Sequence, residues 1–151
     1  MQRQIDDIRM MQAAIAEGRR AAAEGEIPIG AVIVDPSGHI IASAHNMTQA
    51  LNDVTAHAEM LAITAAANHF GAKYLNDCTL YVTVEPCLMC AGAIGWSQLG
   101  RIVIGAADDK RGYRSFGAAK PFHPKAETVW GVCAEDCARL MTDFFKQRRS
   151  K

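Results

Sequence analysis

Three metal-binding side chains and one proton carrier stand in two short motifs, His57-Ala-Glu59 and Pro86-Cys-Leu-Met-Cys90. Zinc takes nitrogen and sulfur ligands, and a catalytic zinc site has three protein ligands with one position left for water. Cys87 and Cys90 are three residues apart, so on a helix they share a face and can grip one ion. His57 would add the third ligand from a second helix. Two thiolates and a neutral imidazole cancel the formal charge of the ion, which then polarises its water less than three histidines would allow. Helix N-termini aimed at the site would offset this, because their partial positive charge favours thiolate and hydroxide. Glu59 is the carboxylate that would take the proton of that water and later deliver it to a leaving amine.

These roles make demands on the elements around them. Glu59 lies two residues from His57, too far round a helix to share its face, so the two converge only if the first turn looks into the pocket. Pro86 suits the first position of a helix, where its missing N–H costs nothing. Ile5, Ile8, Met11 and Ile15 recur at helical spacing and predict a first helix that continues to Ala23. Gly25 and Pro28 end it. Residues 29–35 and 39–44 read as a β-hairpin about the turn Pro36-Ser-Gly38. A second helix is predicted over 56–69, a strand over 79–84, a third helix from Pro86 to about Trp96 and a strand over 101–105. A fifth strand over 127–132 and a closing helix over 134–148 follow, with Leu140, Met141, Phe144 and Phe145 on the apolar side of that helix. Helices alternating with short strands predict a three-layer α/β/α sandwich, and the opening hairpin makes its five-stranded sheet mixed. Residues 106–126 are the least regular stretch, and long irregular connections in compact domains tend to carry function.

The chain has 151 residues, half of them hydrophobic, which is enough for one domain over 1–151 with a real core. Lysine plus arginine equals aspartate plus glutamate, 16 against 16, so no net field draws the molecule to nucleic acid or membrane and any RNA contact must come from local patches. The five cysteines are unevenly spaced, which argues against a disulfide framework. No secretory signal and no bilayer-length apolar run is visible, so a soluble cytoplasmic protein with no membrane partner is expected. Cys78, Cys133 and Cys137 are expected as small buried hydrophobes, and His45 in a structural role. Two other readings of the cysteine pair stay open: a structural zinc site completed by Cys133 and Cys137, and a redox dithiol. Both leave His57 and Glu59 without a role.

His-x-Glu followed downstream by Pro-Cys-x-x-Cys resembles the zinc nucleobase deaminases. The segments Ile27–Val34, His45-Asn46, Thr55–Met60, Leu80–Ala93, Gly105–Lys110 and Asp143–Arg149 extend the likeness over nearly the whole chain. They are similar to the cytidine deaminase superfamily and, within it, to the bacterial tRNA-specific adenosine deaminases. The resemblance implies a cytidine deaminase-like fold, one zinc ion per subunit on His57, Cys87 and Cys90, and catalysis by Glu59. It further implies hydrolysis of the wobble adenosine in a tRNA anticodon stem-loop to inosine by a homodimer. It puts Asn46 on the target nucleoside, Ile29 and Val84 around the base, the Ala58 N–H on the base or its developing charge, and Asp108 in the segment meeting neighbouring nucleotides. A deaminase of a free base or nucleoside such as cytosine, guanine or cytidine shares the zinc motif, and a non-catalytic zinc module is the reading outside enzymology. After Gly112 the family continues with small residues and a longer loop, whereas here Tyr113–Pro124 is shorter and more aromatic. Tyr113, Phe116 and Phe122 beside Lys110, Arg111, Arg114 and Lys120 could stack bases and grip phosphates, or the aromatics could cap the core. Small residues Ala91, Gly92 and Gly95 on the third helix leave room for another element, in keeping with a dimer. The basic tail Lys146–Lys151 could meet phosphates or simply be a solvated helix end.

Overall fold

Strands β1 (Gly30–Val34), β3 (Thr79–Val84) and β4 (Arg101–Ala106) are apolar at nearly every position because both of their faces are covered. In the computed structural model, which describes residues 1–117 and 120–149, alternate residues of each strand go to opposite cores. Ala31, Ile33, Leu80, Val82, Ile102 and Ile104 face one core, together with Ala58, Ala62, Ala91 and Ile94. Val32, Val34, Tyr81 and Val103 face the other, with Met11, Ala14, Ile15 and Cys137. Helices α3 (Ala58–Phe70) and α4 (Leu88–Ser97) therefore cover the first face. Helices α1 (Gln2–Ala23) and α5 (Ala134–Arg149) cover the second. Each fully buried Ile or Leu in these layers contributes about 1.5–3 kcal/mol relative to exposure.

The sheet order is β2-β1-β3-β4-β5, with β2 as Ile40–His45 and β5 as Glu127–Trp130. β1 runs antiparallel to both β2 and β3, while β3, β4 and β5 are parallel. The predicted mixed five-stranded sandwich is the observed one. Among the described residues no helix is long and apolar enough to cross a membrane.

Two short elements had no period to announce them. Helix α2 is a single turn, Thr48–Leu51, and a 3-10 turn occupies Tyr113–Phe116 in the otherwise irregular 106–126 stretch. Helix α4 begins at Leu88 with Cys87 as its N-cap, so Pro86 lies before the helix and not at its first position. Its carbonyl is committed to the Tyr113 N–H at 2.9 Å, which holds the chain extended there. Ala118, Ala119, Ser150 and Lys151, part of the aromatic loop and of the basic tail, lie outside the described residues.

Candidate metal centre and active site

The two motifs meet because both ligand-bearing residues are helix caps. His57 and Cys87 sit in extended conformation immediately before α3 and α4 (φ −78°, ψ 154° and φ −69°, ψ 172°), and neither side chain caps its own helix. The side chains turn to each other instead. His57 Nδ1 lies 3.6 Å from Cys87 Sγ and 3.5 Å from Cys90 Sγ. Zinc–nitrogen and zinc–sulfur bonds at the tetrahedral angle would set these edges at about 3.6 Å. The three form the only group of potential metal ligands of this kind among the described residues, all within 4.8 Å of one another. The donor set and its spacing thus fit zinc.

A cap position also explains how His57 and Glu59 reach one site. His57 is not yet helical, so the angular separation of an ideal helix does not apply to the pair. Glu59, in the first turn of α3, is 3% exposed. Its Oε1 is buried without a partner among the described residues, a costly placement for a structural carboxylate. Burial pushes the Glu59 carboxyl up to about 7, helped by the Cys87 charge and opposed by His57. Hydrogen bonding from Cys90, and then from His57, lowers the Cys87 thiol to about 4 against the effect of burial. Cys133 and Cys137 belong to the opposite side of the sheet, with Cys137 in the second core, and so cannot complete a four-cysteine site with Cys87 and Cys90.

Three expected base-contacting residues stand side by side. The β1–β2 pairing, Gly30 opposite His45, puts Ile29 opposite Asn46, and the Asn46 N–H donates to the Ile29 carbonyl at 3.2 Å. The β1–β3 register, Ala31 opposite Val82, puts Ile29 opposite Val84. By strand alternation all three share the face on which α3 and α4 lie. The Ala58 N–H, expected to meet the base, donates to Asn46 Oδ1 at 2.8 Å. Asn46 thereby satisfies an orphan donor of α3 that His57 leaves uncapped. Asp108 is likewise engaged: its Oδ1 accepts from the N–H groups of Lys110 and Arg111, both at 3.0 Å. Its carboxylate shapes the turn it sits in.

The loop after Gly112 divides the two roles considered for it. Tyr113 is buried in the first core and meets Phe122 edge-on at 5.1 Å, so these two aromatics cap the core. Phe116, Lys110, Arg111 and Lys120 are exposed. The small face of α4 also divides. A Cβ at Gly95 would collide with the Pro121 carbonyl of the same chain, whereas Gly92 faces open space. His45 binds Glu17 and Glu24 at 3.2 and 3.1 Å, the structural role expected of it.

Two buried carboxylates that shape the site carry no motif. Glu26, 1% exposed, accepts from the N–H groups of Gln49 and Ala50 at 3.0 and 2.8 Å and so caps α2, just after Asn46. Glu85 follows β3 and receives the Asp108 N–H, the Arg114 N–H and Arg114 Nη2 at 3.1, 3.1 and 2.9 Å. Burial would raise its carboxyl, but the Arg114 and Asp108 hydrogen bonds prevail and hold it below its usual value. The signal available in the sequence was a lone acid at the end of an apolar strand, which must find a partner when buried.

Comparison with known proteins agrees with this geometry. Residues 4–106 match the model of the cytidine and deoxycytidylate deaminase zinc-binding region. The tRNA-specific adenosine deaminase of Bacillus subtilis (strain 168) is 43% identical over 145 residues, covering 93% of this chain and 89% of that protein. The protein of the same name from Rickettsia felis is also 43% identical, over 92% of this chain and 100% of its own length. A solved structure from work on A-to-I editing by tRNA:A34 deaminases at the wobble position superposes with a TM-score of 0.80 at 39% identity, covering 87% of this chain and 98% of the other. A matching domain model and full-length relatives converge on one assignment: the chain belongs to the zinc-dependent cytidine and deoxycytidylate deaminase family, in its group of tRNA-specific adenosine deaminases.

Proposed function

We propose that this chain, acting as one domain over 1–151, hydrolyses the wobble adenosine of a tRNA anticodon stem-loop to inosine and releases ammonia. The observation that carries the chemistry is the buried Glu59 carboxylate, with its Oε1 left without a partner among the described residues, beside a three-ligand nitrogen and sulfur cluster. His57, Cys87 and Cys90 would hold zinc, which when bound supplies the Lewis acidity that makes water a nucleophile near neutral pH. Glu59 takes a proton from the attacking water at its free oxygen and returns protons to the base and to the departing amine, so water adds at C6 and ammonia leaves. Asn46, with its Oδ1 held by Ala58, presents its amide NH2 to the nucleoside, and Ile29 and Val84 wall the ring. The Ala58 N–H acts by fixing Asn46, and Asp108 acts by fixing the turn beside the pocket.

An RNA substrate is supported by what surrounds the pocket. Arg148 and Arg149 of α5 line a groove with Gly25, Glu26, Thr48 and Gln49, next to the segment that follows Asn46. Exposed Lys110 and Arg111 lie in the turn shaped by Asp108. An anticodon loop already splays its bases, which spares much of the cost of extruding one. A cytoplasmic location accords with a tRNA substrate, and the exposed α4 face fits a homodimer.

The test is inosine formation, read by mass spectrometry, from a stem-loop with adenosine at the wobble position, beside free adenosine, cytosine, cytidine and guanine. Inosine from the stem-loop alone is expected. Glu59→Ala should retain zinc by metal analysis while losing about 1,000-fold in rate, within the range of general acid–base catalysis. Ammonia from a free base with the stem-loop untouched would instead give a nucleobase deaminase.

A further inference from the structure

We infer that Arg114 is a positioning residue for the RNA substrate, fixing the segment 107–116 through a brace on Glu85 and Trp130; the inference rests on the tRNA reading above. The segment is fastened to the metal-ligand motif at three points. Gly112 forms a β-bridge with Cys87 itself. The Tyr113 N–H donates to the Pro86 carbonyl at 2.9 Å. The third fastening is Glu85, whose side chain is 1% exposed and paired to Arg114 at 2.9 Å. No Cβ fits at Gly112, because it would collide with the Glu85 carboxylate.

Arg114 is the cation that makes this arrangement affordable. A carboxylate buried to that extent is tolerated only when paired and hydrogen-bonded. Arg114 gives Glu85 two of its three protein donors, one from the backbone and one from the guanidinium. The guanidinium is in turn held in place by stacking 3.9 Å from the centre of the Trp130 ring on the edge strand β5. Tyr113 completes the contact, with its ring centre 6.2 Å from that of Trp130. The same Glu85 oxygen that binds the guanidinium also receives the Asp108 N–H. A loosened Arg114 therefore loosens the turn that carries Lys110 and Arg111. In this chain the aromatic and basic residues after Gly112 brace the segment, and Arg114 itself serves the fold instead of phosphate.

The experiment compares the unaltered zinc-loaded protein with Arg114→Gln, Arg114→Lys and Trp130→Leu, all at sites partly open to solvent. Expected for Arg114→Gln is a rise in KM for the stem-loop of about tenfold, with kcat and zinc content nearly unchanged, since the binding lost with the braced segment is shared by the ground and transition states. Arg114→Lys should recover much of that loss by restoring the charge, and Trp130→Leu should lose less than Arg114→Gln. Hydrogen exchange should quicken at Asp108, Gly112 and Arg114 in Arg114→Gln. An unchanged KM with only a lower Tm would reduce Arg114 to a stabilising residue and overturn the inference. So would a loss of zinc in step with activity. Absence of inosine with the unaltered protein would remove the tRNA reading itself, and this inference with it.

Discussion

The role proposed for Asn46 gives one amide two jobs: its oxygen caps the first N–H of α3, and its nitrogen would meet the nucleoside. Substitutions can separate these jobs. Asn46→Ala removes both, leaving the Ala58 N–H buried without an acceptor, a cost of about 1–3 kcal/mol. A drop in Tm of about 5 °C is expected from that cost in a chain of this size. Asn46→Asp keeps an acceptor at a helix N-terminus, where negative charge is favoured, but removes the donor. Its thermal stability should stay within about 1 kcal/mol of the parent while kcat/KM for the stem-loop falls about 10- to 100-fold. Calorimetry and steady-state kinetics on the two variants decide it: equal losses of stability in both would assign Asn46 to the fold alone. The ligand residues were legible from spacing because chemistry constrains residue type and separation together. Asn46 was legible only by resemblance, and its bond to Ala58 not at all, because nothing in a sequence tells which distant acceptor an uncapped helix will find.

At the scale of elements, helix α1 is fastened to the sheet by ion pairing as well as by its apolar face. Asp7, 5% exposed, accepts from Arg101 at 2.7 Å through both oxygens and from the Tyr81 hydroxyl at 2.7 Å. Burial would push its carboxyl up, yet hydrogen bonds from Arg101 and Tyr81 and the charge of Arg101 prevail and lower it below 3.8. A folded pKa below the unfolded one means that the stabilisation is fully present above about pH 3.9 and is lost as pH falls through the folded value. Breaking the pair with Asp7→Asn leaves the buried Arg101 guanidinium with only the half-exposed Glu127, 3.3 Å from its Nε, as a carboxylate partner, and should cost up to about 3 kcal/mol near neutrality. The acid limb of a urea-stability profile should be shallower in that variant than in the parent, with the two curves approaching each other as pH falls through the lowered folded pKa of Asp7. Parallel curves over that range would show that Asp7 contributes no proton-linked stability. Ile5, Ile8, Met11 and Ile15 announce α1 through their period, and the strands announce themselves through β-branched residues. The staple between Asp7 and Arg101, 94 residues apart, has no periodic signature. Helix α2 was hidden for a related reason: Glu26, which caps it, lies more than 20 residues upstream.

At the scale of the molecule, the face of α4 turned away from the sheet carries exposed apolar side chains that the proposed homodimer would cover. Leu88, Gly92 and Trp96 follow one another at four-residue steps and therefore share a stripe, with Met89 beside it. Leu88, Met89 and Trp96 are 49%, 37% and 84% exposed. Gly92 on the same stripe has no neighbour within 4 Å of where a Cβ would stand, so a second chain can approach there closely. Leu88 and Met89 sit between the two cysteine ligands in sequence, so a subunit docked on this stripe would lie against the metal centre. A twofold dimer would bury each Trp96 once per protomer, and central tryptophans are worth about 2 kcal/mol or more each at interfaces. Trp96→Glu should thus weaken self-association by about 1,000-fold, since two copies together lose about 4 kcal/mol. Sedimentation velocity should show the parent at twice the monomer mass and the variant as monomer at micromolar concentration. Because the stripe adjoins the ligands, activity on the stem-loop should fall with dissociation and return as protein concentration is raised. A parent that sediments as a monomer, or a monomeric variant that keeps full activity, would leave the site complete within one chain and the exposed tryptophan without this role.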